Sequence, residues 1–280
     1  MTRTALLADI HGNSPALRAV LADVERAGCT HQFVLGDIIN GQDPAGCVNL
    51  LQSGSGCIQA LKGNAEYYLL TPELDAFPKS HEPFYAYLIR LLRWYEERLS
   101  PAQLSWLSGL PDTIRWNGAC LAHDSPLDRL FAEHHHIQGI DAKYQELFFH
   151  SPGIYPDTSG DQLEQVLSWM DTDGVSQVYI GHTHVPFITW HNSQLLCNVG
   201  SVGLPLDSDP RAAWVLVEQS PGEAPVVTIR RVEYEIGEIL EMVDSNIDYP
   251  DFDQPGMQRA YKKMLQTGIH WRVHLHEVNS

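Results

Sequence analysis

Thr4-Ala5-Leu6-Leu7-Ala8-Asp9-Ile10-His11-Gly12-Asn13-Ser14-Pro15 sets the reading of the whole chain. Thr4 to Ala8 is a short apolar run and reads as a buried strand. Ser14 and Pro15 supply an N-cap and a proline at the first helical position. Leu17, Val20, Leu21 and Val24 then recur at helical spacing, and Gly28 ends the helix. An acid and an imidazole therefore stand where a strand stops and a helix begins, the edge at which open α/β sheets bind ligands. Side chains two apart on an extended backbone point the same way, so Asp9 and His11 can grip one ion. The pair also reads as a turn aspartate capping an amide beside a solvated histidine.

The same rhythm of strand, then chemistry, recurs downstream. Gln32-Phe33-Val34-Leu35 runs into Gly36-Asp37, and Ile58-Gln59-Ala60-Leu61 runs into Lys62-Gly63-Asn64-Ala65-Glu66. Between them, the turn-rich Asn40-Gly41-Gln42-Asp43-Pro44 leads into a helix through Cys47, Leu50 and Leu51. From Pro72 to Pro111 the pattern becomes helical, with Phe84, Leu88, Leu91, Tyr95 and Leu99 in register and a restart at Ser100-Pro101 that stops at Gly109. This predicts a helical hairpin inserted over the strand ends. Thr113 to Ala122 reads as a β-hairpin turning at Asn117-Gly118, and it delivers His123-Asp124. Residues 127–160 are polar and give no readable element apart from their run of histidines, His134-His135-His136.

Gln162 to Met170 then reads as a helix, and Gln177-Val178-Tyr179-Ile180 as a strand running into Gly181-His182-Thr183-His184. Four further stretches, Phe187–Trp190, Leu195–Val199, Ala213–Val217 and Val226–Ile229, predict antiparallel strands of a second sheet. The tail from Tyr234 holds two helical patches. It closes on Ile269 to His276, whose strict alternation predicts a half-exposed strand. His270, His274 and His276 would line its wet face, or meet a second copy in a homodimer, since an exposed edge invites pairing.

Composition narrows the function classes. A chain of 280 residues, 44% hydrophobic, suits one large α/β domain with an insertion or two small domains. A net charge of −17 argues against long nucleic acid as partner unless bound metal reverses the potential locally. No apolar run is long enough to span a bilayer, and Leu6-Leu7-Ala8 meets Asp9 too soon for a secretory signal. Cys29, Cys47, Cys57, Cys120 and Cys197 are scattered, with no C-x-x-C pair, and read as reduced thiols of a cytoplasmic protein.

Seven groups stand at strand ends: Asp9, His11, Asp37, Asn64, His123, His182 and His184. Carboxylate, imidazole and amide oxygen together suit divalent Mn, Fe, Zn or Mg. Seven exceed the three protein ligands usual for a single catalytic ion. They suit two ions about 3.5–4 Å apart that share a bridging carboxylate and clamp the attacking and leaving oxygens of a phosphoryl displacement. Two aspartates against two divalent cations leave such a pocket positive in an acidic protein.

The order D-x-H, G-D, G-N, H, G-H-T-H resembles the calcineurin-like metallophosphoesterase superfamily. Leu35-Gly36-Asp37, Leu99-Ser100, Trp106-Leu107, Leu110-Pro111, His123-Asp124-Ser125-Pro126 and Asn198-Val199-Gly200-Ser201 look like its bacterial and archaeal branch of small phosphodiesterases with a helical cap. The resemblance covers roughly residues 4–205. It implies an α/β fold, a four-layer α-β-β-α sandwich with two mixed β-sheets. The single domain of residues 1–280 would carry cap segments at 76–110 and 127–160 and a C-terminal extension at 234–280. It implies that Asp9, His11 and His184 hold one divalent ion, that Asn64, His123 and His182 hold the other, and that Asp37 bridges them. A hydroxide shared by the ions would attack phosphorus, with Asp37, Asn64 and His123 as the catalytic set and Asn13 and Asn64 touching the substrate. The substrate so implied is a small phosphodiester or a nucleotide-type phosphoanhydride. The alternatives are phosphomonoester hydrolysis, or a binding scaffold without catalysis.

One position departs from the pattern. Many members read G-N-H-[DE] around Asn64, and here the histidine is Ala65, which can neither protonate a leaving group nor bind phosphoryl oxygens. Several other residues keep two readings. Glu66 and Asp124 orient ligand histidines or are solvated carboxylates. Asn13 touches the phosphoryl group or caps the helix beside Ser14. His134-His135-His136 extend the site or line a solvated helix face, and Trp94, Trp106 and Trp116 fill core or offer a platform to a base. Ser201 is structural, since no histidine–carboxylate pattern marks it as a nucleophile.

Overall fold

Two five-stranded sheets face each other in the computed structural model, which describes residues 1–54, 58–70, 82–124, 160–253 and 256–278. The first contains β1 (Thr2–Leu7), β2 (His31–Leu35), β3 (Ile58–Leu61), β9 (Ala212–Gln219) and β10 (Val226–Val232), in the order β10-β9-β1-β2-β3. The second contains β4 (Thr113–Trp116), β5 (Ala119–Ala122), β6 (Gln177–Ile180), β7 (Phe187–His191) and β8 (Gln194–Asn198), in the order β4-β5-β6-β8-β7. β1, β2 and β3 run parallel, as do β5, β6 and β8, while the outer strands pair antiparallel. Both sheets are thus mixed, as the family pattern implied.

Side-chain alternation builds the layers. From β1, Ala5 and Leu7 join one apolar cluster while Leu6 and Ala8 join another. Val34 of β2 follows the first pair, and Phe33 and Leu35 the second. The first cluster packs the sheet against α1 (Ser14–Arg26), α2 (Pro44–Ser53), α4 (Glu82–Glu96) and α5 (Pro101–Ser108). The second fills the space between the sheets, meeting Leu121, Tyr179, Leu195 and Cys197 from the opposite side. On the far face, Cys120, Val178, Ile180 and Leu196 pack against Val166 and Met170 of the helix Gly160–Asp173. The result is helix, sheet, sheet, helix: four layers, with strands buried on both faces and therefore apolar without a break.

Three expectations need correction. The strand series from Phe187 to Ile229 does not make one sheet. β7 and β8 stay in the second, whereas β9 crosses over to pair antiparallel with β1 and brings β10 with it. Alternation and turns identify hairpin partners but not the sheet they join. β9 buries Ala212, Trp214 and Leu216 toward the helices and Val215 and Val217 toward the other sheet, so it needs a central place, and the open side of β1 provides it. At α1, the N-cap is Asn13, whose Oδ1 accepts from the Ala16 amide at 3.1 Å, and Ser14 is already helical.

The third correction concerns the tail. The segment read as a strand is a helix, Trp271–Val278, following the helix Met257–Thr267. In eight residues, period 2 and period 3.6 are hard to separate. Trp271 and His274 are also i, i+3 neighbours, and His274 is buried with Nε2 at 2.9 Å from Thr267 Oγ1, while Val273 is 51% exposed. These residues therefore offer no strand edge for a homodimer. The hairpin at Asn117-Gly118 is as expected, both residues having positive φ (48° and 79°).

The described part of the inserted helical pair packs Leu91, Leu92, Trp94, Tyr95, Leu99 and Leu107 into the helix layer beside the first sheet. Trp94 is buried, Trp106 packs on the same cluster, and Trp116 lies against His31 and Phe33, so all three serve packing. The expected second cap segment, including His134–His136, lies outside the described residues from 127 to 159. Among the described residues, Cys29, Cys47, Cys120 and Cys197 are free thiols, and no helix is long and apolar enough to cross a membrane.

Trp214 is fully buried and its Nε1 donates at 3.1 Å to Asp23 Oδ2, which also accepts from Arg230. Replacing it, Trp214→Ala, opens a cavity between β9 and α1 and should cost about 3–5 kcal/mol, read as a lowered urea midpoint.

Candidate metal centre

The parallel strands of both sheets end at one rim. β1 delivers Asp9 and His11, β2 delivers Asp37, and β3 leads into Asn64 at the start of α3 (Asn64–Leu70). β5 delivers His123, and β6 delivers His182 and His184. The loops after β1 and β2 are stitched together by backbone bonds: Asp9 N to Gly36 O, His11 N to Asp37 O, Gly12 N to Ile38 O, and Asp43 N to Gly12 O. Their approach requires Gly41, where a Cβ would fall 1.8 Å from His11 O. The second sheet joins through Gly181 N to His123 O and through the His182 amide, which donates to Asp9 Oδ2 at 2.8 Å.

All seven residues named from the sequence come together. Three imidazoles are held the same way. His11 Nδ1–H donates to Asn40 O at 3.0 Å, His123 Nδ1–H to Leu35 O at 2.6 Å, and His184 Nδ1–H to Leu204 O at 2.7 Å. Each therefore turns its Nε2 inward, as metal-binding histidines do when their other ring nitrogen is tied to a carbonyl. His11 Nε2 and His184 Nε2 face each other at 3.0 Å, with Asp9 Oδ1 at 3.7 Å and 3.3 Å respectively. Asp37 spans two histidines, Oδ2 at 3.6 Å from His11 Nε2 and Oδ1 at 3.5 Å from His123 Nε2. The Asn64 side-chain amide lies 3.0 Å from His123 Nε2 and 3.1 Å from His182 Nδ1.

The carboxylates of Asp9 and Asp37 thus stand among three inward-turned imidazole nitrogens. Asp9 Oδ1 is fully buried without a hydrogen-bond partner, a costly condition in the protein alone. A divalent cation resolves it. Asp9, His11 and His184 can converge on one ion, and Asp9, Asp37 and His123 on another point. The donor set, carboxylate oxygens with imidazole nitrogens, is of the borderline kind that suits Mn, Fe or Zn. Backbone strain marks the same residues: Asp9, His11, Asp37, His182 and His184 all have φ between 47° and 70°. Such conformations cost of order 1 kcal/mol or more each and persist where the surroundings enforce them, commonly at functional sites.

The neighbours explain the strand-end motifs. Glu66 is fully buried and accepts four backbone N–H groups: Asp37 and Gly63 on Oε2, at 2.9 and 2.8 Å, and Ile38 and Ile39 on Oε1, at 2.8 and 3.3 Å. It ties the loop of Asp37 to the loop of Asn64 and touches no ligand imidazole, so its role differs from both earlier readings. Ser201 Oγ donates to Asp9 O at 2.7 Å and accepts from Leu204 N at 2.8 Å, a structural part as expected. Asn13 is 1% exposed. It caps α1, and its amide donates to Gly203 O at 3.0 Å and to Tyr234 Oη at 3.2 Å. The Ala65 amide donates to Asp37 Oδ1 at 2.8 Å. Asn40, Leu35 and Leu204 escaped the sequence reading because each contributes only a carbonyl, which any residue type provides.

Charges in the cage are strongly coupled. Burial alone would raise Asp9, but His184, His11 and His123 around it hold its carboxyl well below the ordinary value. Burial would lower His123, yet Asp37 and Asp9 outweigh it and raise that imidazole well above its usual range. His11 is raised in the same way by Asp9 and Asp37.

Fold and site together present a candidate metal centre at the strand ends of a double-sheet α/β sandwich. The profile of the calcineurin-like phosphoesterase superfamily domain matches residues 2–220, and the chain belongs to that family. It is 27% identical over 263 residues to the uncharacterised protein MJ0912 of Methanocaldococcus jannaschii, covering 86% of this chain and 92% of that one. Among solved structures it is similar to a metallophosphoesterase from Sphaerobacter thermophilus, with a TM-score of 0.64, 22% identity, and 96% and 99% of the two chains covered. The hypothetical protein PH1004 from Pyrococcus horikoshii gives a TM-score of 0.68 at 18% identity, covering 96% of this chain and 100% of that one. These likenesses place the fold with the small bacterial and archaeal metallophosphoesterases.

Two outcomes follow. Glu66→Gln sets an NH2 group against backbone donors and should destabilise the chain by about 1–3 kcal/mol, read in urea unfolding. Protons and cations compete for the same imidazoles, so metal affinity should weaken as pH falls, with proton release visible by calorimetry in two buffers. For the metal-free chain the sign reverses. The raised His11 and His123 stabilise it fully below about pH 6.5, and that contribution is lost as pH rises through their folded values.

Proposed function

We propose that the protein hydrolyses a small phosphodiester or a nucleotide-type phosphoanhydride at two divalent cations. Asp9, His11 and His184 would hold one, Asn64, His123 and His182 the other, and Asp37 would bridge them. The observation that carries the reading is the inward convergence of imidazole nitrogens on Asp9 and Asp37, with Asp9 Oδ1 buried and without a hydrogen bond. When bound, the cations supply Lewis acidity toward phosphoryl oxygens and an ionised water at neutral pH. Asp37 offers one carboxylate oxygen to each side of the cage, which is the geometry a bridging ligand needs.

The chain's own residues set the specificity. Asn64, at the edge of the cage, is the group best placed to touch a phosphoryl oxygen, since its amide borders both His123 and His182. Asn13 has its oxygen and its amide engaged by α1, Gly203 and Tyr234, so substrate contact by Asn13 would require one of these bonds to break. Ala65 brings no proton donor. General acid help is typically worth about 10²–10⁴-fold, so leaving groups that depart without a proton are favoured. An acidic surface, −17 overall, fits a small substrate better than long nucleic acid.

The assay uses the metal-supplemented full chain with bis(nitrophenyl) phosphate, nitrophenyl phosphate and an alkyl nitrophenyl-free diester. Faster turnover of the aryl diester than of the alkyl diester, by about 10²-fold or more, is expected. Equal rates on aryl and alkyl diesters would refute the leaving-group argument. Preference for the monoester would make the protein a phosphomonoesterase. Metal binding without turnover of any ester would leave a binding scaffold. Asp37→Asn should reduce turnover to background while the fold, read by circular dichroism, persists.

A further inference from the structure

The family profile ends at residue 220, yet the chain continues through helices Ile236–Ser245, Met257–Thr267 and Trp271–Val278. This extension grips the loops behind one half of the cage. Behind His11, whose Nδ1–H is taken by Asn40 O, the Asn40 side chain accepts from Tyr95 Oη at 2.9 Å. The Tyr95 proton is engaged there, so its oxygen accepts from Tyr249 Oη, also at 2.9 Å, and both rings are 2% exposed. Two residues beyond Asn40, Gln42 accepts from Asn246 Nδ2 on its O at 3.0 Å and on its Oε1 at 3.1 Å.

The same extension reaches His184 from the other side. His184 Nδ1–H is held by Leu204 O, and Leu206 N returns to His184 O at 3.3 Å. Leu204 and Leu206 pack against Ile239, Tyr261, Met264 and Trp271 of the extension. The loop is pinned by Ser208 N donating to Gly268 O at 2.9 Å. Gly268 has φ +66°, and a Cβ there would come 2.8 Å from the Asp209 amide. On the other half of the cage, His123 leans on Leu35 O of β2 within the matched domain.

We propose that residues 234–253 and 256–273 are a positioning clamp for the Asp9–His11–His184 half of the cage, acting through Tyr249, Tyr95 and Asn40 on His11 and through Gly268 and the 204–208 loop on His184. The inference rests on the reading of the cage as a metal site. Fixing the acceptor carbonyl fixes the imidazole, and groups of this kind are typically worth 10–100-fold in metal affinity. Tyr95 and Tyr249 are positioning residues; neither touches the cage.

The test is Co²⁺ titration of the full-length, metal-free chain, followed by visible absorbance and by the hyperfine-shifted ring N–H lines in proton NMR. Tyr95→Phe should weaken one binding step about tenfold and displace the His11 Nδ1–H line, leaving that of His123 in place. Gly268→Ala, acting from the opposite side, should displace the His184 line and again spare His123. Affinities within twofold of the parent and unmoved lines in both variants would overturn the clamp. So would an equal displacement of the His123 line, which would mean general loosening. A parent chain that binds no Co²⁺ would instead overturn the reading of the cage, and the clamp with it.

Discussion

Everything at the rim depends on where three histidine protons go. Asn40, Leu35 and Leu204 carbonyls take the Nδ1–H groups, and this turns the Nε2 atoms of His11, His123 and His184 toward Asp9 and Asp37. A carbonyl can do so only if its own loop is fixed, and so the loops are fixed in turn. Glu66 gathers the amides of Asp37 and Gly63, Ser201 takes Asp9 O, and Asn198 binds Gly181 O and Thr183 Oγ1. The strained φ values of the ligand residues show the same causality: the surroundings hold the backbone where the donors must point.

Much of this was legible in the chain. Strands buried on both faces announce themselves as unbroken apolar runs, and those that reach the rim end in an acid, amide or imidazole, so the donor residues could be named before their geometry was known. Proline at the first turns of α1, α2 and α5, and Asn-Gly between β4 and β5, fixed local structure for simple steric reasons. What could not be read was assignment at a distance. Nothing in Ala213 to Val217 says that β9 leaves its sequence neighbours for β1, because a strand with two apolar faces fits any central position. Trp271 to Val278 fits two periods at once, and only its packing against the preceding helix decides.

The acceptor carbonyls were illegible for a different reason. A backbone oxygen carries no signature of residue type, so the groups that orient the imidazoles are invisible in sequence even where the imidazoles are obvious. Glu66 was visible but misread. Next to a ligand motif, a carboxylate suggests a partner for a histidine, whereas here it replaces a missing set of backbone partners where two loops meet.

That carboxylate has an electrical consequence. Burial and the neighbouring Asp37 carboxylate raise its pKa, while the amides on both of its oxygens oppose that shift. A carboxylate so placed adds to the negative potential that draws cations toward Asp9 and Asp37. Cations held in the cage would therefore favour the ionised form of Glu66 and tighten the join it makes between the loops of Asp37 and Asn64.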